Sequence, residues 1–242
     1  MNRLTKDYIV FPLDFSTAAE ARKYVRLLAG RVGMFKVGLE LFIRSGAEVL
    51  EAIRKEGRAR IFLDLKLHDI PVTVGRAMEQ IAAWRAAYTT VHCAESRAML
   101  QAAVDGAGLK TRVLGVTVLT SVSGRDLQES GLDPAYAEDP GALVIKRAQM
   151  AYDAGCAGVV CSGQEAAEIK RRFGGGFVTM VPGIRPGWAV EADDQKRVVT
   201  PGQAVKDGAD YLVIGRPIRD AAEPVDAVEM ITSEIEDALA GR

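Results

Sequence analysis

The segment Asp64-Leu65-Lys66-Leu67-His68-Asp69-Ile70-Pro71 carries the densest run of reactive side chains in the chain. In extended backbone, successive side chains point to opposite faces. Phe62, Asp64 and Lys66 then share one face, and Ile61, Leu63 and Leu65 the other. Asp14 closes an earlier apolar run on the face of Val10 and Pro12, and Lys36 stands between Phe35 and Val37. Buried charges are costly unless paired, so Asp14, Lys36, Asp64 and Lys66 must offset one another, with Asp69 as a fifth charge. An ion-pair network that merely fixes the fold is one use of such a set. Balanced charges gathered at one mouth favour catalysis. Carboxylates on both sides of Lys66 favour its ammonium form, which suits a proton donor rather than a base or a Schiff-base nucleophile.

A second constellation suits an anion. Pro182-Gly183-Ile184-Arg185 and Ile214-Gly215-Arg216-Pro217 each combine a glycine, which allows close backbone approach, with an arginine. Other reactive residues read more plainly. His68 points away from Asp69 if the strand geometry continues, and His92 reads as a hydrogen-bonded wall. Cys93, Cys156 and Cys161 form no paired motif and read as reduced core thiols. With only two histidines, a zinc site of His and Cys is not expected. Trp84 and Trp188 lack a base-stacking pattern. A net charge of -1 gives no basic excess for nucleic acid or a membrane surface. No apolar run approaches the ~20 residues of a membrane span. The first residues carry no apolar signal core, so a cytoplasmic address is expected.

These groups need elements to hold them. Short apolar, β-branched runs at residues 8–14, 34–37, 60–66, 89–93, 113–118, 158–161, 177–181 and 211–214 read as buried strands. Helical patterns lie between them at 18–29, 38–55, 74–86, 96–104, 140–153, 164–172, 201–206 and 221–239. Ser16-Thr17 caps the first, and Thr200-Pro201 starts the seventh. The alternation predicts an α/β fold, a (β/α)8 TIM barrel, with residues 1–242 as a single domain. An open doubly wound sheet is the alternative, but residues 14–17 lack its glycine-rich first turn. In a barrel, Asp14, Lys36, Asp64 and Lys66 stand at the C-terminal strand ends, where barrel enzymes do chemistry, and the two glycine-arginine turns follow strands seven and eight, where barrels hold phosphate. Residues 121–139 and 185–199 are the candidate loops over the mouth.

The chain resembles the orotidine 5'-monophosphate decarboxylases along nearly its whole length. The matching pieces are Leu13-Asp14, Phe35-Lys36-Val37-Gly38, the Asp-x-Lys-x-x-Asp-Ile-Pro-x-Thr run from Asp64 to Thr73, Val118-Leu119-Thr120-Ser121, Pro182-Gly183-Ile184-Arg185, Asp194-Gln195 and Ile214-Gly215-Arg216-Pro217-Ile218. The resemblance implies roles that spacing does not. Lys66 would protonate the C6 carbanion left when CO2 departs, and Asp64 would sit beside the substrate carboxylate. Asp14 and Lys36 would bind ribose hydroxyls and align the charges. Asp69 and Thr73 would reach into the neighbouring subunit's site, making a homodimer with shared active sites. Thr120 would meet the pyrimidine edge. Gln195, Arg216 and the Gly215 backbone would hold the phosphate, with Arg185 close by, and residues 185–199 would close over it. No metal or organic cofactor is implied. The nearest rivals, 3-keto-L-gulonate 6-phosphate decarboxylases, share the Asp-x-Lys-x-x-Asp core but use magnesium and an enediolate. They match less well at residues 70–73 and 194–195. A non-catalytic nucleotide-binding barrel is the reading from another class.

Overall fold

A computed structural model describes residues 3–56, 59–189 and 199–241. Eight parallel strands alternate with helices: β1 (Ile9–Pro12), β2 (Met34–Val37), β3 (Arg60–Leu67), β4 (Tyr88–His92), β5 (Arg112–Val116), β6 (Gly158–Val160), β7 (Val178–Val181) and β8 (Tyr211–Val213). Each pairs with the next, and β1 also pairs with β8, as in Ile9↔Leu212, so the sheet closes into a barrel. This is the expected TIM barrel. Closure explains the near-continuous apolar runs, because each strand is buried on both faces. Val10, Met34, Phe62, Tyr88, Leu114, Met180 and Val213 fill the barrel interior. Their alternates, among them Ile9, Phe11, Phe35, Ile61 and Leu63, pack outward against the helices.

Strand β3 is irregular around Asp64 and Lys66. Leu63 pairs with Thr89, but the next pair is Leu67↔Val91. Four steps along β3 therefore match two along β4, and the bulge holds Asp64, Leu65 and Lys66. Lys66 has φ +50°, in the left-handed region, a placement costing a non-glycine residue about 1–3 kcal/mol.

Some helices follow their start signals and others depart from them. Thr17 caps α1 (Ala18–Leu28) by accepting from the Glu20 amide. The pattern over 38–55 is two helices, α2 (Leu39–Ser45) and α3 (Glu48–Glu56). Gly46 at φ +58° ends the first by donating to the Phe42 carbonyl. Helix α4 (Pro71–Ala83) begins three residues before the expected Val74, with Pro71 in its first turn. Ser96 caps α5 (Arg97–Ala107). The stretch 121–139 is not a bare loop. It contains α6 (Gly124–Glu129), started by a reciprocal Ser123–Asp126 capping box, and α7 (Pro134–Glu138). Helices α8 (Pro140–Asp153), α9 (Ala166–Phe173) and α10 (Pro201–Lys206) follow. Thr200 caps α10 as expected, accepting from the Gln203 amide. After β8 come one turn of helix, α11 (Arg216–Arg219), and α12 (Pro224–Ala240), which starts at Pro224 rather than Ala221. Among the described residues no helix is long and apolar enough to cross a membrane.

Candidate active site

The C-terminal strand ends surround a cavity of about 400 Å³. Its lining includes Pro12, Asp14, Lys36, Asp64 and Lys66 from the ends of β1, β2 and β3, Val118, Thr120 and Ser121 after β5, and Pro182, Arg185, Gly215 and Arg216 after β7 and β8, the last of which pairs with β1. Strand alternation thus delivers the four charges to one wall. Lys36 Nζ lies 3.1 Å from Asp14 Oδ1 and 3.7 Å from Asp64 Oδ2. Lys66 Nζ lies 2.8 Å from the same Asp64 oxygen. The two ammonium groups therefore converge on one carboxylate. Burial alone would push the Asp64 carboxyl upward, but the charges of Lys36 and Lys66 and hydrogen bonds from Lys66 and Thr90 outweigh it, so the group is held below its ordinary value. Asp64 is an anion at neutral pH although only 7% exposed.

Two contributors went unread in the sequence. The Thr90 hydroxyl donates to Asp64 Oδ1 at 2.9 Å and accepts from the Lys66 amide at 2.9 Å. Alternation could have pointed to it, since Tyr88 faces the barrel interior and Thr90 lies two residues on. Gly38 is the other. A Cβ there would stand 3.1 Å from Lys36 Nζ and 3.3 Å from Asp14 Oδ1, so a side chain would crowd the ion pair.

Two arginines and two glycines stand at the ends of β7 and β8. Arg185 is 6% exposed and lines the cavity, donating from Nη1 to the Ile184 carbonyl at 2.8 Å. Gly183 takes φ +79°, which lets the chain turn sharply after β7. Arg185 N donates to Val199 O at 3.0 Å, and Ile184 bridges Val199, so both ends of the 185–199 stretch meet at the rim. Gln195 lies outside the described residues. Gly215 approaches β1 so closely that a Cβ would meet Pro12 Cγ at 2.9 Å. Arg216 follows it at the start of α11.

Asp69 and Thr73 do not join this cavity. Both are exposed, and Asp69 Oδ1 accepts from the Ile70 amide at 2.6 Å. Ile70 and Val72 beside them are 66% and 61% exposed, and Leu39 and Ile43, following the adjacent β2, are 49% and 79% exposed. His68 Nε2 lies 3.3 Å from Glu95 Oε1, and its ring meets that of His92 at 5.6 Å. Burial, then the charges of His68 and Lys66, lower His92. The three cysteines are buried, as expected of core thiols. Among the described residues no cluster of three His, Cys, Asp or Glu side chains could hold a metal ion. At the mouth Asp14 and Asp64 already face ammonium groups.

Comparison with known proteins shows the family to which the chain belongs. The sequence model of the orotidine 5'-phosphate decarboxylase / HUMPS family matches residues 7–231. The chain belongs to that family. Within it, the chain is 52% identical over 240 residues to an orotidine 5'-phosphate decarboxylase of Desulfosudis oleivorans, covering 98% of this chain and 96% of the relative. It is 47% identical over 221 residues to the enzyme of that name from Anaeromyxobacter sp. strain K, covering 91% and 95%. Among solved structures, the orotidine 5'-phosphate decarboxylase of Lactobacillus acidophilus superposes with a TM-score of 0.81 at 31% identity, covering 94% of this chain and 98% of that one.

Proposed function

We propose that this enzyme converts orotidine 5'-monophosphate to UMP and CO2 without a cofactor, as a step of pyrimidine nucleotide synthesis. The observation that carries the reading is the Asp14–Lys36–Asp64–Lys66 array, with Lys66 Nζ 2.8 Å from Asp64, lining one cavity together with Arg185 and Arg216. The arginines and the Gly215 backbone, with Gln195, hold the phosphate. Asp14 and Lys36 bind the ribose, and Thr120 meets the pyrimidine. This orientation puts the substrate carboxylate against buried, anionic Asp64. The like charge disfavours the ground state and is relieved as neutral CO2 leaves. The C6–carboxyl bond breaks, its electron pair stays on C6, and the Lys66 ammonium gives C6 a proton. Lysine then regains a proton from solvent.

The exposed pair Asp69 and Thr73, beside exposed Ile70 and Val72, supports a homodimer in which these residues complete the partner's site. The 242 residues work as a single barrel domain, in the cytoplasm, with no nucleic-acid or membrane partner.

The test is direct. Purified protein is mixed with orotidine 5'-monophosphate and EDTA, and loss of pyrimidine absorbance is followed. Turnover under chelation is expected. No decarboxylation would sink the reading, and activity that requires added magnesium would favour a sugar-phosphate decarboxylase of the same family.

A further inference from the structure

The bulge in β3 raises a question that the charges alone do not answer: what holds Lys66 in a left-handed backbone conformation and keeps Asp64 aimed at it. Between Leu63↔Thr89 and Leu67↔Val91 the β3–β4 ladder lapses, so the Lys66 amide is off the regular pairing. A buried amide without an acceptor is unfavourable. One side chain on β4 faces the gap. Thr90, fully buried, accepts from the Lys66 amide at 2.9 Å and donates to Asp64 Oδ1 at 2.9 Å. A hydroxyl has one proton to give and lone pairs to receive, so both uses are compatible at once. A carboxylate or a cationic side chain could not do both. Because Asp64 Oδ1 is engaged by Thr90, Oδ2 is the oxygen that faces Lys36 and Lys66. The adjacent Thr89 is equally buried, yet its hydroxyl has no partner among the described residues. Two neighbouring threonines on one strand thus have opposite status, one tied into the charged wall and one simply packed.

We propose that Thr90 is a positioning residue whose hydroxyl clamps the β3 bulge, fixing the Lys66 backbone and the Asp64 carboxylate in one geometry. The inference rests on the proposed decarboxylation for its kinetic consequences, but not for its structural ones. Thr90 does not line the cavity, so it acts through Asp64 and Lys66 and not on the substrate.

The experiment compares Thr90→Val, which keeps the shape and removes the hydroxyl, with Thr90→Ser, which keeps the hydroxyl, and with Thr89→Val as control. A displacement of about an ångström at a reacting group lowers rate by about 100-fold. Thr90→Val is expected to lose about that factor in kcat with roughly unchanged KM, because the phosphate end is untouched. Thr90→Ser is expected to stay within about 5-fold of wild type, and Thr89→Val to match it. The acid limb of the pH–kcat/KM profile should move to higher pH in Thr90→Val and not in Thr90→Ser, since Asp64 loses a hydrogen bond to its charged form. If Thr90→Val fails to fold, Thr90→Cys against Thr90→Ser makes the same comparison, because the two differ only in sulfur for oxygen. Wild-type activity in Thr90→Val, or in Thr90→Cys where that replaces it, overturns the proposal. So does equal loss in Thr90→Ser, which would make the methyl group the important part, or equal loss in Thr89→Val. A substrate-independent arm separates this claim from the proposed reaction. Carbon-13 NMR titration of the Asp64 carboxyl should show a higher pKa in the hydroxyl-free variant and none in Thr90→Ser. If wild type proves inactive on orotidine 5'-monophosphate, that titration still decides the clamp, and an unmoved Asp64 refutes it.

Discussion

Replacing Lys66 with methionine removes a charge of this wall while nearly keeping the side chain's length. At an effective dielectric of about 20, the pair at 2.8 Å contributes a gross attraction of about 6 kcal/mol, and Lys36 at 3.7 Å about 4.5 kcal/mol. Most of that is offset by the loss of hydration of the charges. Breaking a buried pair by removing one partner typically costs about 3–5 kcal/mol. Here Lys36 stays beside Asp64 and the Lys66 side chain is 29% exposed, so about 2–3 kcal/mol is expected at pH 7.5. The pH dependence distinguishes this cause from lost packing. In wild type the folded-state pKa of Asp64 is lowered, so its contribution is present above the unfolded carboxyl value and is lost only as pH falls through the lowered one. In Lys66→Met the burial remains while the charge and hydrogen bond from Lys66 are gone, so the pKa of Asp64 rises. The deficit is then relieved as pH falls through that raised value, and the gap between the proteins narrows by about 1.4 kcal/mol per pH unit below it. Urea unfolding at fixed protein concentration, followed by tryptophan fluorescence and circular dichroism from pH 7.5 down to the acid limit of wild-type folding, measures the gap. A constant difference across that range would refute the electrostatic account. Asp64→Asn combined with Lys66→Met should be less destabilised than Lys66→Met alone, since no uncompensated charge is left buried.

Lys66→Ala and Asp69→Ala proteins, each nearly inactive alone, are expected to regain activity when mixed. A mixed dimer has one site with both residues intact, and absence of rescue despite demonstrated subunit exchange would argue against a shared site. Arg216→Ala should raise KM for the nucleotide by about 10- to 100-fold, the worth of one charge-assisted hydrogen bond, with a smaller effect on a substrate lacking the phosphate; steady-state kinetics on both substrates checks this. The cysteines should resist thiol reagents in the folded protein at pH 8. Burial pushes Cys156 up to about 12, and Cys93 and Cys161 upward as well, so Ellman titration is expected to follow unfolding.

Much of the barrel was legible because each strand is a short apolar run and several helices open on a recognisable cap. Thr17, Ser96 and Thr200 act as N-caps through local hydrogen bonds that sequence spacing encodes. The misread boundaries have equally local causes. Gly46 ends α2 inside a continuous apolar pattern because periodicity records which face is buried, not a left-handed residue between two helices. The capping box at Ser123 and Asp126 was present in the sequence, but the short α6 that it starts has too few turns to show a period.

The residue types and their two-residue spacing determined that Asp64 and Lys66 share a face, and that Asp14 and Lys36 stand at neighbouring strand ends. Those facts depend only on the strand period and on chain order around the barrel. Tertiary structure decided the rest. It brought Lys36 and Lys66 onto one Asp64 oxygen, because that convergence depends on the register of β2, β3 and β4. It set the two-residue bulge that turns Lys66 left-handed, and it brought the Thr90 hydroxyl onto the Lys66 amide in that bulge. It also left Asp69, adjacent in sequence to the charged wall, outside the cavity of its own barrel. A strand's alternation carries no information on where its pairing slips. That is set by how the neighbouring strand packs, and here the slip falls at Lys66.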